Sequence, residues 1–147
     1  SAILTLLEDN KIITEGAAAS TVAALMYRKF NHKGKKVCCV LSGGNIDVTR
    51  VSKVIEKGLY KTNRRMELRI KLDDQPGQLT KISGLLEEQG ANIVQIYQNV
   101  DLVGETIDSM IVSIIIDTKD KDHQGQILTA LNQNSYVYKA RYNDSQF

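Results

Sequence analysis

The sequence predicts an α+β protein in which a four-stranded antiparallel sheet, with two helices on one face, follows a shorter α/β segment. Three observations predict this fold. The stretch Met66–Leu72 alternates strictly between apolar and charged residues, which is typical of a strand with one buried face. The elements that begin with it follow the order β-α-β-β-α-β, the split unit that forms such a sheet. Earlier in the chain, the apolar run Val37–Leu41 does not alternate, which favours a strand buried on both faces.

The composition of the 147 residues fits one ordinary aliphatic core or two small ones, since 42% are hydrophobic and Trp is absent. No apolar run is long enough to cross a bilayer and no leader is apparent, so we expect a cytoplasmic protein with no membrane partner. The adjacent Cys38 and Cys39 point to opposite faces of the predicted strand, and we expect two buried free thiols. No metal-ligand spacing occurs, so we expect no metal site.

The net charge of +2 is divided unevenly along the chain. Residues 1–65 contain 12 Lys and Arg against 5 Asp and Glu, whereas residues 66–147 contain 7 against 12. The lysines of the first part lie at helix ends and in turns, so we expect no nucleic-acid partner. The change in composition predicts a first domain at 1–60, a linker at 61–65, a second domain at 66–143 and a tail at 144–147.

The first part has the pattern helix, helix, strand, helix. We expect a short helix over Ala2–Leu7 and an Ala-rich helix over Gly16–Phe30. After the apolar strand, Asp47 is a good N-cap for an amphipathic helix that runs to about Gly58. A strand buried on both faces needs neighbouring strands, and this segment contains none. The first part is therefore predicted to be a piece of a larger domain.

The second part supplies a complete sheet. A turn at DDQPG follows the alternating strand, and Gly90 ends the first helix. A hairpin turn is expected around Gly104, within Leu102–Glu105. An exposed sheet face and open edges predict a homodimer or a higher oligomer. The elements expected after the first strand are a helix over Gln78–Gln89, strands over Ile93–Val100 and Asp108–Asp117, a helix over His123–Leu131 and a strand over Val137–Tyr142.

Residues 65–141 resemble an ACT domain, an amino-acid-binding regulatory module of ferredoxin-like fold. The resemblance is carried by the D-x-P-G-x-L turn in LDDQPGQLTKISGLLEEQGANI and by G-A-N-I at the next strand. It implies an amino-acid effector bound at the contact between two such modules, lined by the first turn and the start of the second strand. Carried over by position, the effector-binding residues are Asp74, Gln75, Pro76, Gly77, Leu79, Asn92 and Ile93.

The chemistry of this turn suits an amino acid. Free backbone N–H groups at residues 77–79, where the helix begins, could take a carboxylate, and Asp74 or Asn92 could take the ammonium group. The plainer alternative is that Pro76 and Gly77 only form a tight turn and that Asn92 only satisfies a turn backbone.

The first part resembles the C-terminal end of the catalytic domain of threonine dehydratase (threonine ammonia-lyase), a PLP-dependent enzyme of fold-type II. The matching segments are ITEGAAA at Ile13–Ala19 and VLSGGNID at Val40–Asp47. The resemblance implies PLP as the cofactor of the parent enzyme. The pocket residues that it implies in this chain are Ser42, Gly43, Gly44 and Glu15.

By this resemblance, the hydroxyl of Ser42 meets the pyridine nitrogen of PLP, and a neutral hydroxyl there suits β-elimination from threonine or serine. Taken alone, Ser42 is only a residue of a strand-end turn, and Glu15 only a solvated residue at a helix N-terminus. The Schiff-base lysine and the phosphate loop lie upstream of this chain in the relatives. We therefore expect no catalytic residues here, no bound cofactor and no activity of the chain alone.

Two functions are compatible with these features of the sequence. In the first, the chain is the regulatory C-terminal part of a threonine dehydratase of isoleucine biosynthesis, with isoleucine or valine as effector and the rest of the catalytic domain as partner. In the second, it is a free-standing amino-acid sensor that acts through protein contacts. Such a sensor has no reason to keep the S-G-G-N strand end, which favours the first function. Many dehydratase ACT domains have a His and an Arg where this chain has Tyr97, Gln98 and Asn99, so the effector's identity stays open.

Overall fold

The computed structural model describes residues 2–99 and 109–142, and the chain divides into two compact units between Gly58 and Leu59. The first unit contains α1 (Ala2–Asn10), α2 (Gly16–Met26) and most of α3 (Val48–Lys61). The second unit contains the last turn of α3 followed by β1 (Arg65–Asp73), α4 (Gln78–Glu88), β2 (Asn92–Asn99), β3 (Ser109–Asp117), α5 (Lys121–Gln133) and β4 (Val137–Arg141).

The second unit has the predicted β-α-β-β-α-β order, and its four strands form one antiparallel sheet in the order β2-β3-β1-β4. The two strands with pairing partners on both sides are β3 and β1, and β2 and β4 form the edges. The fold class expected from the sequence is thereby confirmed for this unit. The hairpin turn expected around Gly104 lies outside the described residues.

One face of the sheet carries the core. The alternate β1 residues Met66, Leu68 and Ile70 are completely buried. They pack in one cluster with Ile82 of α4 and Ile127 of α5, so both helices cover the same face. The other fully buried or nearly buried members of this cluster are Leu72, Leu86, Val112, Ile114, Ile116 and Leu131. The alternation that predicts a half-buried strand thus reflects a real difference between the two faces.

The edge strand β2 contains a β-bulge. Ile93 is paired with Ile116, but the next register position joins Gln95 to Ile115, which leaves Val94 as the extra residue. Beyond it, Ile96 is paired with the buried Ile114. Because directly paired residues share a face, the bulge brings Ile93 and Ile96 to the helix-facing side although they are three positions apart.

The turn that leads into β1 is held by hydrogen bonds. Thr118 donates from its backbone N–H to the carbonyl of Arg64 (2.9 Å) and from its hydroxyl to the carbonyl of Asn63 (2.8 Å). The buried amide of Gln124, on α5, donates to the same Asn63 carbonyl (3.2 Å). Asn63 itself has φ 57°, a left-handed conformation that asparagine tolerates. Most of the segment expected to be a linker is therefore fixed to the sheet unit.

The first unit is held by a small apolar cluster of Ala2 and Leu6 from α1 with Ala19 from α2. Asp47 precedes α3, and its carboxylate accepts hydrogen bonds from the backbone N–H (2.6 Å) and the hydroxyl of Thr49. These bonds to Thr49 lower the pKa of Asp47 because they favour its ionised form. The N-cap expected at Asp47 is therefore present.

The strand expected over Val37–Leu41 is wrong for this structure, because the segment has no regular secondary structure. Val40 is 70% exposed and Cys38 is exposed, so the expectation of buried thiols is also wrong for Cys38, and Cys39 is only partly covered. The physical reason is the missing neighbours. A strand buried on both faces needs partners on both edges, and the described first unit contains no strand at all.

Helix boundaries in the first unit also differ from expectation. The first helix continues to Asn10, beyond the expected end at Leu7, and Lys11 follows in a left-handed conformation at φ 59°. The second helix ends at Met26 and not at Phe30, because Arg28 has φ 50° and so leaves the helical region. Only the amphipathic pattern was available to place these ends, and it does not mark where the backbone turns left-handed.

The buried His123 joins the ends of the two helices on the sheet. Its Nδ1 accepts a hydrogen bond from the backbone N–H of Lys119 (3.0 Å), and its Nε2 lies 2.7 Å from the carbonyl oxygen of Gln89 at the end of α4. Since Nδ1 accepts, the hydrogen bond to the Gln89 carbonyl is donated by Nε2. Asp120 caps α5 by accepting from the His123 backbone N–H (2.8 Å).

Replacing His123 with alanine removes both ring hydrogen bonds and leaves the Gln89 carbonyl without this donor. We expect His123→Ala to lower the free energy of unfolding of the sheet unit by about 1–3 kcal/mol. Urea unfolding followed by circular dichroism measures this. The matched control is Gln126→Ala on the exposed side of the same helix, for which we expect a change within about 0.5 kcal/mol. Equal stability of the two variants would contradict this role of His123.

Candidate functional site

The S-G-G-N segment of the first unit lies against the start of α2. The hydroxyl of Thr14 and the backbone N–H of Glu15 both donate to the carbonyl oxygen of Gly43, at 3.1 Å and 3.4 Å. Thr14 is almost completely buried, whereas Ser42 and Gly44 are exposed. These two hydrogen bonds hold together the two segments of the cofactor pocket predicted from the sequence. Thr14 and Gly43 are 29 positions apart along the chain.

The carboxylate of Glu15 occupies the space beside Gly43. A Cβ atom on Gly43 would lie only 2.6 Å from Glu15 Oε1, and Gly43 has φ 90°, which L-residues rarely adopt. The backbone conformation therefore favours glycine here, and any larger residue would also displace the Glu15 carboxylate. An open cleft of about 560 Å³ adjoins this point and is lined by Glu15, the first residues of α2, Asp47 and Arg50, among others.

The residues of this pocket do not fit PLP by themselves. Ser42 offers a hydroxyl, Glu15 offers a carboxylate, and the segments 13–16 and 42–47 contain no lysine that could form a Schiff base. Two glycines are also too short a run for a full phosphate cradle. The pocket as described can only contribute one wall of a cofactor site.

The predicted effector turn is exposed and well defined. Asp74, Gln75 and Pro76 are exposed, and Gln75 donates its backbone N–H to the carbonyl of Asp73 (2.9 Å). Gly77 has φ 88° and ψ −7°, a left-handed conformation that makes it the N-cap of α4. The first helical bond across this cap runs from the Lys81 N–H to the Gly77 carbonyl (3.1 Å).

The start of α4 therefore offers backbone donors. The N–H groups of Leu79 and Thr80 precede the first i to i−4 bond, so they have no partner within the helix. The side chain of Leu79 is 44% exposed beside them. Backbone donors and an exposed aliphatic side chain at one helix end can receive an aliphatic carboxylate.

The two halves of the predicted effector site lie at opposite ends of the sheet. Asn92 is paired with Asp117, which is paired with Arg65 at the start of β1, whereas the turn follows Asp73 at its end. Eight residue steps along β1 separate these positions by roughly 27 Å at about 3.4 Å per residue. The structure thus brings Asp74, Gln75, Pro76, Gly77 and Leu79 together and Asn92 together with Ile93, but within one chain it does not join the two groups.

A shallow cleft of about 460 Å³ lies beside the turn, between the end of β1 and the start of β4. Its lining includes Lys71, Asp73, Gln78 and Lys81, but none of the predicted effector residues. Within a single chain, the predicted effector residues of the turn therefore lie on the exposed surface and do not enclose a cavity.

A polar cluster on the outer face of the sheet, opposite the helices, was not predicted from the sequence. Glu67 is buried, and its Oε1 accepts a hydrogen bond from the hydroxyl of Tyr97 (2.7 Å). Its Oε2 lies 3.5 Å from a guanidinium nitrogen of Arg141. In the sequence Glu67 is an ordinary charged position of an alternating strand, and its partners are 30 and 74 positions away, so no local pattern could identify the cluster.

The surroundings of Tyr97 favour its neutral form. Burial, and then its hydrogen bond to Glu67, raise the pKa of Tyr97 above the ordinary value. Burial and then the charge of Glu67 also raise the pKa of Tyr60, in the last turn of α3, against the opposing charge of Arg141.

Within residues 2–99 and 109–142, no group of His, Cys, Asp and Glu is arranged to hold a metal ion. None of the described helices combines the length and the hydropathy needed to span a membrane.

Comparison with known proteins adds three findings. Residues 66–135 match the family model of the ACT domain. The chain is 38% identical over 135 residues to the L-threonine ammonia-lyase of Thermotoga maritima and 37% identical over 136 residues to that of Geobacter sulfurreducens. Each match covers 92% of this chain but 33% and 34% of the relative, so the chain spans about a third of the length of these proteins.

Among solved structures, the ACT domain from the GTP pyrophosphokinase of Chlorobium tepidum is similar over 52% of this chain and 94% of its own. The TM-score is 0.40 and the sequence identity is 19%.

The raised pKa of Tyr97 predicts a loss of stability in alkaline solution. A free tyrosine ionises near pH 10, whereas folded Tyr97 keeps its proton to higher pH, so the unfolded chain loses protons first. The stability that this proton provides is complete below about pH 10 and declines as the pH rises further. We expect Tyr97→Phe to show a shallower decline in free energy of unfolding above about pH 10, measured by urea titration. Parallel declines in the two proteins would contradict this assignment.

Proposed function

Residues 66–135 of this chain match the ACT domain family, and from that premise we propose that the chain binds an aliphatic amino acid between two copies. By this proposal the chain is the regulatory C-terminal part of a threonine ammonia-lyase, which converts threonine into 2-oxobutanoate and ammonia. The similarity to two L-threonine ammonia-lyases over 92% of the chain supports the parent enzyme.

The main support for a binding site shared between two copies is the distance between its two halves along β1. A ligand the size of isoleucine cannot bridge roughly 27 Å, the length of eight steps along a strand. A second copy related by a two-fold axis can place its β2 start against the first copy's turn, and a two-fold contact of this kind forms the same site twice. The proposed oligomer is therefore a dimer or a multiple of it.

The chemistry assigned to each group follows from its position. The free N–H groups at the start of α4 receive the carboxylate, which the helix dipole also favours. The exposed side chain of Leu79 contacts the aliphatic part of the ligand. Asp74 of one copy or Asn92 of the other receives the ammonium group. Isoleucine and valine satisfy all three requirements, so they are the effectors that we propose.

The first unit supports the proposal that the chain belongs to a larger enzyme and not to a free-standing sensor. Ile13 and Val40 are 57% and 70% exposed, and both lie in the segments that resemble the catalytic domain. In the proposed parent, the rest of the catalytic domain covers these side chains. It also supplies the lysine and the phosphate loop, while Ser42, Gly43, Gly44 and Glu15 contribute one wall of the PLP pocket.

Charge substitutions in the two halves of the site test the binding proposal. A lysine at position 74 or at position 92 repels the ammonium group, whichever of the two residues receives it. We expect Asp74→Lys and Asn92→Lys each to weaken isoleucine binding at least about tenfold by calorimetry. Asp122→Lys and Asn132→Lys on the exposed side of α5 are the matched controls, and we expect them to bind as the wild type does.

Co-expression of the two variants tests whether the site is shared. In a mixed dimer one of the two sites contains both lysines and the other contains neither. Random pairing therefore restores about a quarter of the wild-type number of sites. Recovery of none would show that the site lies within one chain, and no isoleucine or valine binding by the wild type would contradict the proposed effector.

The cofactor proposal has an optical test. We expect the chain mixed with PLP and threonine to release no 2-oxobutanoate and to develop no visible absorbance band of lysine-bound cofactor, because the pocket residues include no lysine. The full-length L-threonine ammonia-lyase of Thermotoga maritima is the positive control. A visible band with this chain, lost on reduction with borohydride and retained on a lysine in mass spectrometry, would contradict the proposal.

A further inference from the structure

The carboxylate of Glu67 uses both of its oxygens to tie three strands together. Glu67 lies on β1, yet its Oε1 accepts from Tyr97 on the edge strand β2 (2.7 Å) and its Oε2 lies 3.5 Å from Arg141 on the edge strand β4. Arg69 approaches Oε1 as well, at 3.8 Å. The Glu67 side chain is only 5% exposed, so these partners replace most of its contact with water.

The reach of Tyr97 is unusual for a sheet, since β3 lies between β2 and β1. Tyr97 is paired with Ser113, which is paired with Arg69, and Glu67 is the next residue along β1 on the same face. The tyrosine side chain therefore crosses over the completely buried Ser113 to reach the carboxylate. Arg141, by contrast, is directly paired with Glu67.

The cluster continues into α3. The guanidinium carbon of Arg141 lies 5.4 Å from the centre of the Tyr60 ring, within the range of a cation–π interaction. Tyr60 belongs to the last turn of α3, and that turn is part of the same compact unit as the sheet. One continuous series of contacts thus joins β2 to the end of a helix whose earlier residues belong to the first unit.

We infer that the series Tyr97, Glu67, Arg141 and Tyr60 transmits changes in β2 to the C-terminal turn of α3. This inference rests on the proposed function, because β2 begins with the effector residues Asn92 and Ile93 and α3 leads into the first unit. It goes further by naming the residues through which the bound amino acid acts.

The burial of the carboxylate is what makes the transmission effective. A buried charge that loses one partner is strongly destabilising unless another group replaces that partner. When β2 moves and the Tyr97 hydroxyl is withdrawn, Glu67 is held more closely by its two remaining partners, Arg69 and Arg141, and the contact of Arg141 with Tyr60 weakens. The two states of the cluster differ in which groups hold the carboxylate, which is the kind of discrete difference that allosteric coupling needs.

Amide hydrogen exchange of the intact chain, without any amino acid added, tests this inference. We expect Tyr97→Phe to accelerate exchange of the amides of Leu59, Tyr60 and Lys61 about fivefold to tenfold. The matched control is Tyr138→Phe, which removes a hydroxyl 3.5 Å from the Leu128 carbonyl on the helix-facing side of the sheet. We expect it to leave these three amides unchanged.

The reverse substitution covers the case in which Tyr97→Phe fails to fold. Coupling is reciprocal, so Tyr60→Leu must accelerate exchange of the β2 amides around Tyr97. If either variant accelerates only the amides next to its own substitution, or if Tyr138→Phe affects α3 equally, the inference is overturned.

An added isoleucine titration separates this inference from the proposed function. Failure of isoleucine to bind, with the effect of Tyr97→Phe on α3 intact, would remove the proposed effector and leave the coupling in place. Binding of isoleucine with no effect of Tyr97→Phe on α3 would overturn the coupling and leave the effector in place.

Discussion

Burial of one face of β1 beneath α4 and α5 is the interaction on which the rest of the sheet unit depends. Met66, Leu68 and Ile70 are completely buried, and each contributes about 2–5 kcal/mol relative to alanine in such a site. Because the side chains of a strand alternate, burying these three residues forces Glu67 and Arg69 to the opposite face. A slip of one residue would exchange the two sets, so the register of the sheet is strongly fixed.

The outer face of the sheet must in turn provide hydrogen-bond donors for the buried carboxylate of Glu67. A buried carboxylate needs donors, and Glu67 receives them from both edge strands through Tyr97 and Arg141, with Arg69 of its own strand also near. The apolar face therefore fixes where the strands pair, and the polar face joins the sheet's edges across its width. The β4 edge also carries Arg141, which lies over the ring of Tyr60 in the last turn of α3.

Local pattern predicted the sheet unit well and the first unit less well. The alternation of β1, the helical spacing of Ile82 and Leu86 and the N-cap at Asp47 are set by nearby residues, so the sequence alone indicates them. The run Val37–Leu41 failed as a strand because a strand also needs partners, which local pattern cannot supply. The same limit applies to the candidate sites, since the resemblance named the effector residues but only the register showed that Asn92 lies far from the turn.

The bulge at Val94 has a consequence for comparing this chain with its relatives. The alternation of faces shifts by one residue at that point. Before the bulge the odd-numbered Ile93 faces the helices, whereas after it the even-numbered Ile96 does. A relative with the same number of residues in this strand but no bulge would keep the position of Ile93 inward and turn the position aligned with Tyr97 toward the helices. Transfer of a functional role by ungapped alignment beyond position 94 is therefore valid only between sequences that share the bulge, however similar they are elsewhere.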